Sequence, residues 1–178
     1  MQLPAGNLWV FGYGSLLWRP GFAYLEKQRA RVFGYHRSLC VWSWHHRGRP
    51  ESPGLVLGLD AGGSVLGMAY RVAASAREAT LEYLYGREMV TPVYAPRLVR
   101  AETAEGSVQA LTFTVDRNHD QYAGRLPLAK ALAVVCDAQG KSGQNREYVL
   151  KTASTLHELA VRDPAIQRLA GLLHDRGG

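Results

Sequence analysis

The first half of this chain reads as strands, one helix and two further strands follow, and from Leu128 the pattern turns helical. That order constrains the fold more than any other feature. Leu8–Gly12, Arg31–Val41, Leu55–Asp60 and Val65–Val72 read as strands. The last two are joined by "DAGGS", which predicts a hairpin because glycine accepts positive φ. Ser75-Ala-Arg-Glu78 fits a capping box and predicts a helix opening at Ser75 and running to about Tyr85 or Glu88. Two further strands, near Arg97–Thr103 and Val108–Val115, meet across "AEGS". Beyond Leu128, Gly140 stops one helix, "SGQN" starts a second, and Asp163-Pro164 caps a third. Strands first and helices mostly afterwards predict an α+β domain on a curved, largely antiparallel or mixed sheet.

A length of 178 residues suits a single domain, 1–178. No apolar run approaches the length of a membrane span, and the N-terminus lacks the pattern of a secretory signal, so the expectation is a cytoplasmic protein with no membrane partner. Cys40 and Cys136 sit among apolar neighbours and read as buried, reduced thiols. The net charge of +6 comes from scattered basic residues without a nucleic-acid-binding signature. It predicts an attraction for small anions and no nucleic-acid partner.

The sharpest local feature is "LWVFGYGSLLW", residues 8–18, where a strand runs straight into Gly12-Tyr13-Gly14-Ser15. It is not a dinucleotide fingerprint: the third glycine position holds Leu17, and Arg31–Val41 offers no acidic ribose partner. Nor is Ser15 on a nucleophile elbow, whose flanking glycines are here Tyr13 and Leu17. "GKSG" at 140–143 lacks the earlier glycine of a phosphate loop, where Val135 stands. The six histidines show no zinc spacing, so no metal is expected. A glycine turn offering backbone amides remains, suited to a carboxylate or an oxyanion.

The Ser75 helix supplies a second feature. Leu81, Leu84, Tyr85 and Glu88 share one helical face, while Glu78 and Glu82 lie on another. An inward Glu88 loses hydration near helical carbonyls, which raises its pKa towards the range useful for moving protons. The alternative is that the helix ends earlier and leaves Glu88 solvated, or paired with Arg87 or Arg97.

Three separated segments, "VFGYGSLLWRPGF", "HRGRPESPGLVLGLD" and "YLYGREMVTPVY", resemble the ChaC family of glutathione-specific γ-glutamylcyclotransferases. A fourth, "YAGRLPL…GKSGQNREYVL", is similar to the family's C-terminal signature, and the resemblance covers about residues 8–169. It implies the γ-glutamylcyclotransferase-like fold, a small mixed β-barrel flanked by helices. It also implies a cofactor-independent lyase that converts glutathione to 5-oxoproline and Cys-Gly, with the small molecule as its partner; nothing in the sequence fixes the oligomeric state, and a monomer is the default expectation. Carried over by position, Phe11, Gly12, Tyr13, Gly14, Ser15 and Leu16 form the substrate loop, Glu88 is the general base and acid, and Tyr122 lies near the site. Paired arginines seen in some relatives are His36 and Arg37 here; Leu66 replaces a tryptophan, and Arg125 a proline.

Under this resemblance the substrate's own α-amine attacks its γ-carbonyl, so no protein nucleophile or metal is needed. Ser15 either assists by hydrogen bonding or bonds its own turn; Tyr13 is either a wall of the site or a core aromatic. His46 and Arg47 either reach the glycyl carboxylate of glutathione or belong to a solvated loop. Tyr122 closes the pocket or packs the barrel end, and Ser142, Asn145 and Tyr148 read as capping and packing residues. Two rival functions remain open: cyclotransfer on other γ-glutamyl peptides or amines, and a non-catalytic anion-binding module.

Overall fold

The computed structural model describes residues 3–175. Five strands close a barrel in the order β1-β3-β2-β4-β5. They are β1 (Leu8–Gly12), β2 (Glu26–Ser43), β3 (Gly54–Val72), β4 (Tyr94–Thr103) and β5 (Gly106–Val115). Helix α1 (Arg77–Glu88) separates β3 from β4 in the chain. After β5 come α2 (Leu128–Asp137), the short pair β6 (Gln139–Gly140) and β7 (Gly143–Gln144), α3 (Asn145–Glu158) and α4 (Pro164–Asp175). This is the α+β architecture with a small mixed barrel that the sequence and its resemblance predict. By contacts the chain divides into two compact units, Met1–Arg37 with Leu59–His119, and Ser38–Gly58 with Asp120–Gly178.

In the first unit, β1 pairs antiparallel with β3 from Leu8↔Val72 to Gly12↔Met68, and parallel with β5 at Trp9↔Ala110 and Val10↔Leu111. Ladders on both sides and near-zero exposure of Leu8, Val10 and Phe11 make β1 an interior strand. That is why it reads as a continuous apolar run instead of an alternating one. β5 runs opposite to β4, and β4 opposite to β2, so closing the circuit makes β2 and β3 antiparallel neighbours. β2 begins five residues before the predicted Arg31. Its charged opening alternates, with Lys27, Arg29 and Arg31 outward and Ala30 and Val32 buried.

The "DAGGS" hairpin is not formed. Residues 54–72 are one strand, with Gly62 (φ +101°) and Gly63 (φ +74°) inside it. Positive φ is needed by strand bulges as well as by hairpin turns, and only the neighbouring strand distinguishes them. Here β2 runs past the glycines without interruption: the Arg31 guanidinium donates to Ser64 Oγ at 3.2 Å, and His36 Nδ1 lies 3.0 Å from the Gly62 carbonyl oxygen. The β4–β5 hairpin does form across Ala104-Glu105, from Thr103↔Gly106 to Tyr94↔Val115.

The capping box at Ser75 is also absent. A 3-10 turn over Ala74–Ala76 precedes α1, and no side chain caps the helix. The turn satisfies its own backbone, with Ala76 N–H donating to Ala73 O at 2.9 Å, while Asn7 Oδ1 accepts the Ala74 N–H. Leu84 is fully buried in a cluster with Leu8, Val10, Leu16, Val72, Leu111 and Phe113, and Leu81 packs against it. Burial of a leucine of this kind contributes about 1.5–3 kcal/mol.

In the second unit, Leu132 and Val135 of α2, Val149 and Leu156 of α3, and Ile166, Leu169 and Leu173 of α4 are buried. Asp163 Oδ1 accepts the Ile166 N–H at 3.2 Å with Pro164 opening α4, as the sequence predicts. Gly140 is not a helix stop: α2 ends at Asp137, and Gly140 lies in β6. A Cβ there would stand 2.6 Å from both Gly48 N and His45 O, so backbone proximity dictates the glycine. Asn145 is fully buried, and its amide mimics a strand partner, accepting from Leu55 N–H (2.7 Å) and donating to Leu55 O (2.9 Å). Cys40 is buried, Cys136 only half-buried, and both are unbridged. No described helix is long and apolar enough to cross a membrane.

Candidate functional site

The glycine turn leaves the end of β1 and doubles back at once. A Cβ on Gly12 would lie 2.9 Å from Leu16 Cβ and 3.3 Å from Tyr70 Cε2, so any larger residue would have to push the turn or Tyr70 aside. Gly14 leads into a 3-10 turn, Ser15–Leu17, closed by Leu17 N–H donating to Gly14 O at 2.9 Å. The first amides of such a turn have no intrahelical acceptor. Accordingly, the N–H groups of Ser15 and Leu16 meet no acceptor among the described residues.

Three remote groups hold the turn. The Tyr70 hydroxyl donates to Leu16 O at 2.9 Å. Burial, with Tyr24 nearby, pushes the Tyr70 pKa up to about 12, so it stays a donor. Arg37 donates through Nε to Tyr13 O and through Nη2 to Leu66 O, both at 2.6 Å. Tyr13 itself donates from its hydroxyl to Phe113 O at 3.0 Å and is 8% exposed, which places its ring in the packing. The Phe11 side chain is likewise internal: a Cβ on Gly67 would stand 2.7 Å from its ring. What Phe11 through Leu16 present is therefore chiefly backbone, together with the Ser15 hydroxyl.

Helix α1 does continue to Glu88. The face named from periodicity points inward: Leu84 is buried, Tyr85 meets Phe113 edge-on with ring centroids 5.9 Å apart, and the Glu88 side chain is 18% exposed. Glu78 and Glu82 are exposed. Glu88 is also paired, with Oε1 3.2 Å from Arg87 Nε. Burial raises the pKa of Glu88 above the ordinary carboxylate value, and the charge and hydrogen bond of Arg87 only partly oppose the rise. The inward reading and the ion-pair alternative thus hold together.

Arg87, which the sequence offers only as a neutralising neighbour, joins the two features. Its Nη2 donates to Ser15 Oγ at 2.7 Å, and its Nη1 donates to Arg19 O (2.8 Å) and to the Tyr83 hydroxyl (2.6 Å). Arg37, noted in the sequence only as a departure from relatives, is the second residue that periodicity does not expose. Neither role shows in the local pattern, because Arg37 holds Tyr13 O and Leu66 O, and Arg87 reaches Ser15 Oγ and Arg19 O, all far away in sequence.

The structure gathers Phe11–Leu16 and Glu88 in the first unit. Tyr122 belongs to the second unit, where it is half-buried and bridges Val41. In that unit Arg47 is also buried, donating through Nη1 to Gln144 O at 3.1 Å with its guanidinium over the Tyr148 ring. His46 Nδ1 lies 2.9 Å from Ser142 Oγ, so the loop containing both residues is braced by the β6–β7 pair. Among the described residues, no cluster of three or more histidine, cysteine, aspartate or glutamate side chains could hold a metal ion.

A family model described as ChaC-like protein matches residues 8–176. The glutathione-specific γ-glutamylcyclotransferase of Escherichia coli strain K12 is 32% identical over 165 residues, covering 92% of this chain and 71% of that protein. Glutathione-specific γ-glutamylcyclotransferase 1 of Homo sapiens is 34% identical over 151 residues, covering 82% and 68%. The crystal structure of a glutathione-specific γ-glutamylcyclotransferase from yeast superposes with a TM-score of 0.87 over 96% of each chain, at 20% identity.

Proposed function

The chain belongs to the ChaC-like family, and on that premise we propose that it is a glutathione-specific γ-glutamylcyclotransferase using Glu88 as its proton carrier. The α-amine of the γ-glutamyl group attacks its own γ-carbonyl carbon. A five-membered lactam closes as the bond to the cysteinyl nitrogen breaks, and the products are 5-oxoproline and Cys-Gly. The reaction adds no water and exchanges no electrons. It needs only a proton removed from the attacking amine and one delivered to the departing amine.

One observation carries this reading: a carboxylate held largely out of water at the end of α1, its pKa raised, connected through one arginine to a turn with free amides. Glu88 takes the proton from the amine and returns it to the leaving nitrogen, a contribution of ~10²–10⁴-fold. The Ser15 and Leu16 amides bind the α-carboxylate or the oxyanion that develops on the γ-carbonyl. Folding the glutamyl chain so that amine faces carbonyl is worth more, since well-oriented intramolecular reactions reach effective molarities of about 10⁵–10⁸ M. In this reading the enzyme acts as a cytoplasmic monomer without cofactor, nucleic acid or membrane partner. Incubation with reduced glutathione, followed by mass spectrometry, tests it. Equal 5-oxoproline and Cys-Gly, absent with Glu88→Gln, is the expected result, whereas free glutamate would mean hydrolysis and overturn the mechanism. Comparable turnover of γ-glutamyl-alanine would remove the specificity for glutathione.

A further inference from the structure

The Arg87 guanidinium joins two of its neighbours in α1 to two groups far away in sequence. Nε holds Glu88 Oε1, Nη2 reaches Ser15 Oγ across 72 residues, and Nη1 is anchored on Arg19 O and the Tyr83 hydroxyl. The side chain is only 19% exposed, and its guanidinium carbon lies 5.8 Å from the centre of the Tyr83 ring. A planar fork held at four points is rigid in a way that a lysine ammonium is not.

Two chemical consequences follow from the donor geometry. A guanidinium only donates, so Ser15 Oγ is an acceptor in this bond, and its own O–H proton has no acceptor among the described residues. The hydroxyl is thereby committed to donating outward, polarised by the cation behind it. At Glu88, Oε1 is occupied and Oε2 has no hydrogen-bond partner among the described residues. One carboxylate oxygen is held, and the other is left to exchange a proton.

We propose that Arg87 is the positioning residue of the site, orienting Ser15 as a hydrogen-bond donor to an anionic group of the substrate and Glu88 with Oε2 as its working oxygen. The inference rests on the γ-glutamylcyclotransferase reading and sharpens its substrate class. The group beside Ser15 must be an acceptor, and a donor polarised by a cation bonds the anionic α-carboxylate of a γ-glutamyl compound more strongly than the neutral carbonyl of its amide.

The experiment is a double-mutant cycle of Ser15→Ala with Arg87→Lys and Arg87→Gln, assayed with glutathione and with its γ-glutamyl α-carboxamide analogue. It is accompanied by NMR titration of the Glu88 side-chain carboxyl carbon in parent and Arg87 variants. Each single variant should lower kcat/KM for glutathione by ~10–10²-fold. The double variant should fall well short of the product of the two losses, because Ser15 without Arg87 has already lost its orientation. Ser15→Ala should narrow the preference for the free carboxylate over the carboxamide. Arg87→Gln should raise the Glu88 titration midpoint and the acid limb of kcat/KM together. Arg87→Lys keeps the charge and should move the midpoint less, yet it should not restore the coupling to Ser15.

Multiplicative losses, or a Glu88 midpoint unmoved by Arg87→Gln, would overturn the proposal and leave Arg87 a structural strut. Thermal unfolding of each variant checks folding, and the milder Arg87→Lys carries the cycle if Arg87→Gln does not fold. Absence of 5-oxoproline from parent protein with every γ-glutamyl compound would refute the functional reading instead. The carboxyl titration, which needs no turnover, still decides whether Arg87 governs Glu88.

Discussion

Replacing Gly12 by alanine adds one methyl group where the structure has least room. The new Cβ would stand 2.9 Å from Leu16 Cβ, against the 3.4 Å at which ordinary contact begins, so about 0.5 Å must be found. Neither neighbour yields freely: Leu16 is buried, its carbonyl is held by Tyr70, and the Tyr70 ring itself lies 3.3 Å from the added atom. Overpacking of this kind costs about 1–3 kcal/mol. For a chain of this length that lowers Tm by roughly 2–12 °C. The same displacement moves Leu16 and the adjacent Ser15, and misplacement approaching 1 Å costs up to ~10²-fold, so turnover should fall by ~10–10²-fold. The control is Gly86→Ala, in the exposed face of α1 two residues before Glu88, where an added Cβ meets nothing within 4 Å. It should stabilise the helix by about 0.5–1 kcal/mol and leave 5-oxoproline production intact. Thermal unfolding and product formation, measured side by side, check both. A Gly12→Ala protein with parental Tm and turnover would refute the close approach of the turn to β1.

Glu88→Gln should abolish most turnover, a loss of ~10²–10⁴-fold, without destabilising the fold. The folded pKa of Glu88 lies above its unfolded value, so the folded state binds more protons between the two, and stability falls as pH rises through that window. Above it the buried charge is a constant cost that glutamine lacks, so the variant should unfold at or above the parent's Tm at neutral pH. The difference should shrink below the ordinary carboxylate range; a variant markedly less stable at neutral pH would contradict the burial. The acid limb of the parent's kcat/KM profile should lie above that of an ordinary carboxylate, as steady-state rates across pH would reveal. Asn145→Ala orphans the buried N–H and C=O of Leu55, which costs roughly 1–3 kcal/mol for each group. Chemical denaturation should show that loss, and an unchanged midpoint would mean that water replaces the amide.

Much of the candidate site was legible because its chemistry is local. An apolar run ending in Gly-Tyr-Gly-Ser announces a strand and an amide-bearing turn from neighbouring residues alone, and the 3.6-residue period places Glu88 on the face of Leu84 and Tyr85. The order of strands and helices likewise suffices for the fold class. Punctuation was less reliable, since Gly62-Gly63 and Ser75 carry the right local chemistry for a hairpin and a cap that are not made. A glycine specifies that positive φ is permitted, and the adjacent strand decides whether the chain turns or only bends.

What only the tertiary structure decided is every contact that needs the barrel closed. Periodicity reports which face of an element is apolar, but it carries no information about which distant carbonyl or hydroxyl a long side chain will meet. Arg37 meets Tyr13 O, Tyr70 meets Leu16 O, and Arg87 meets Ser15 Oγ because closure brings β2, β3 and α1 to the end of β1. By itself, the sequence determined that a strand and a glycine turn exist and that Glu88 shares a helical face with Leu84 and Tyr85; the continuation of α1 to Glu88 and the burial of its carboxylate came from the structure. Conversion of these parts into a held turn and an oriented carboxylate depends on hydrogen bonds between residues far apart in sequence, which exist only where the fold brings those residues together.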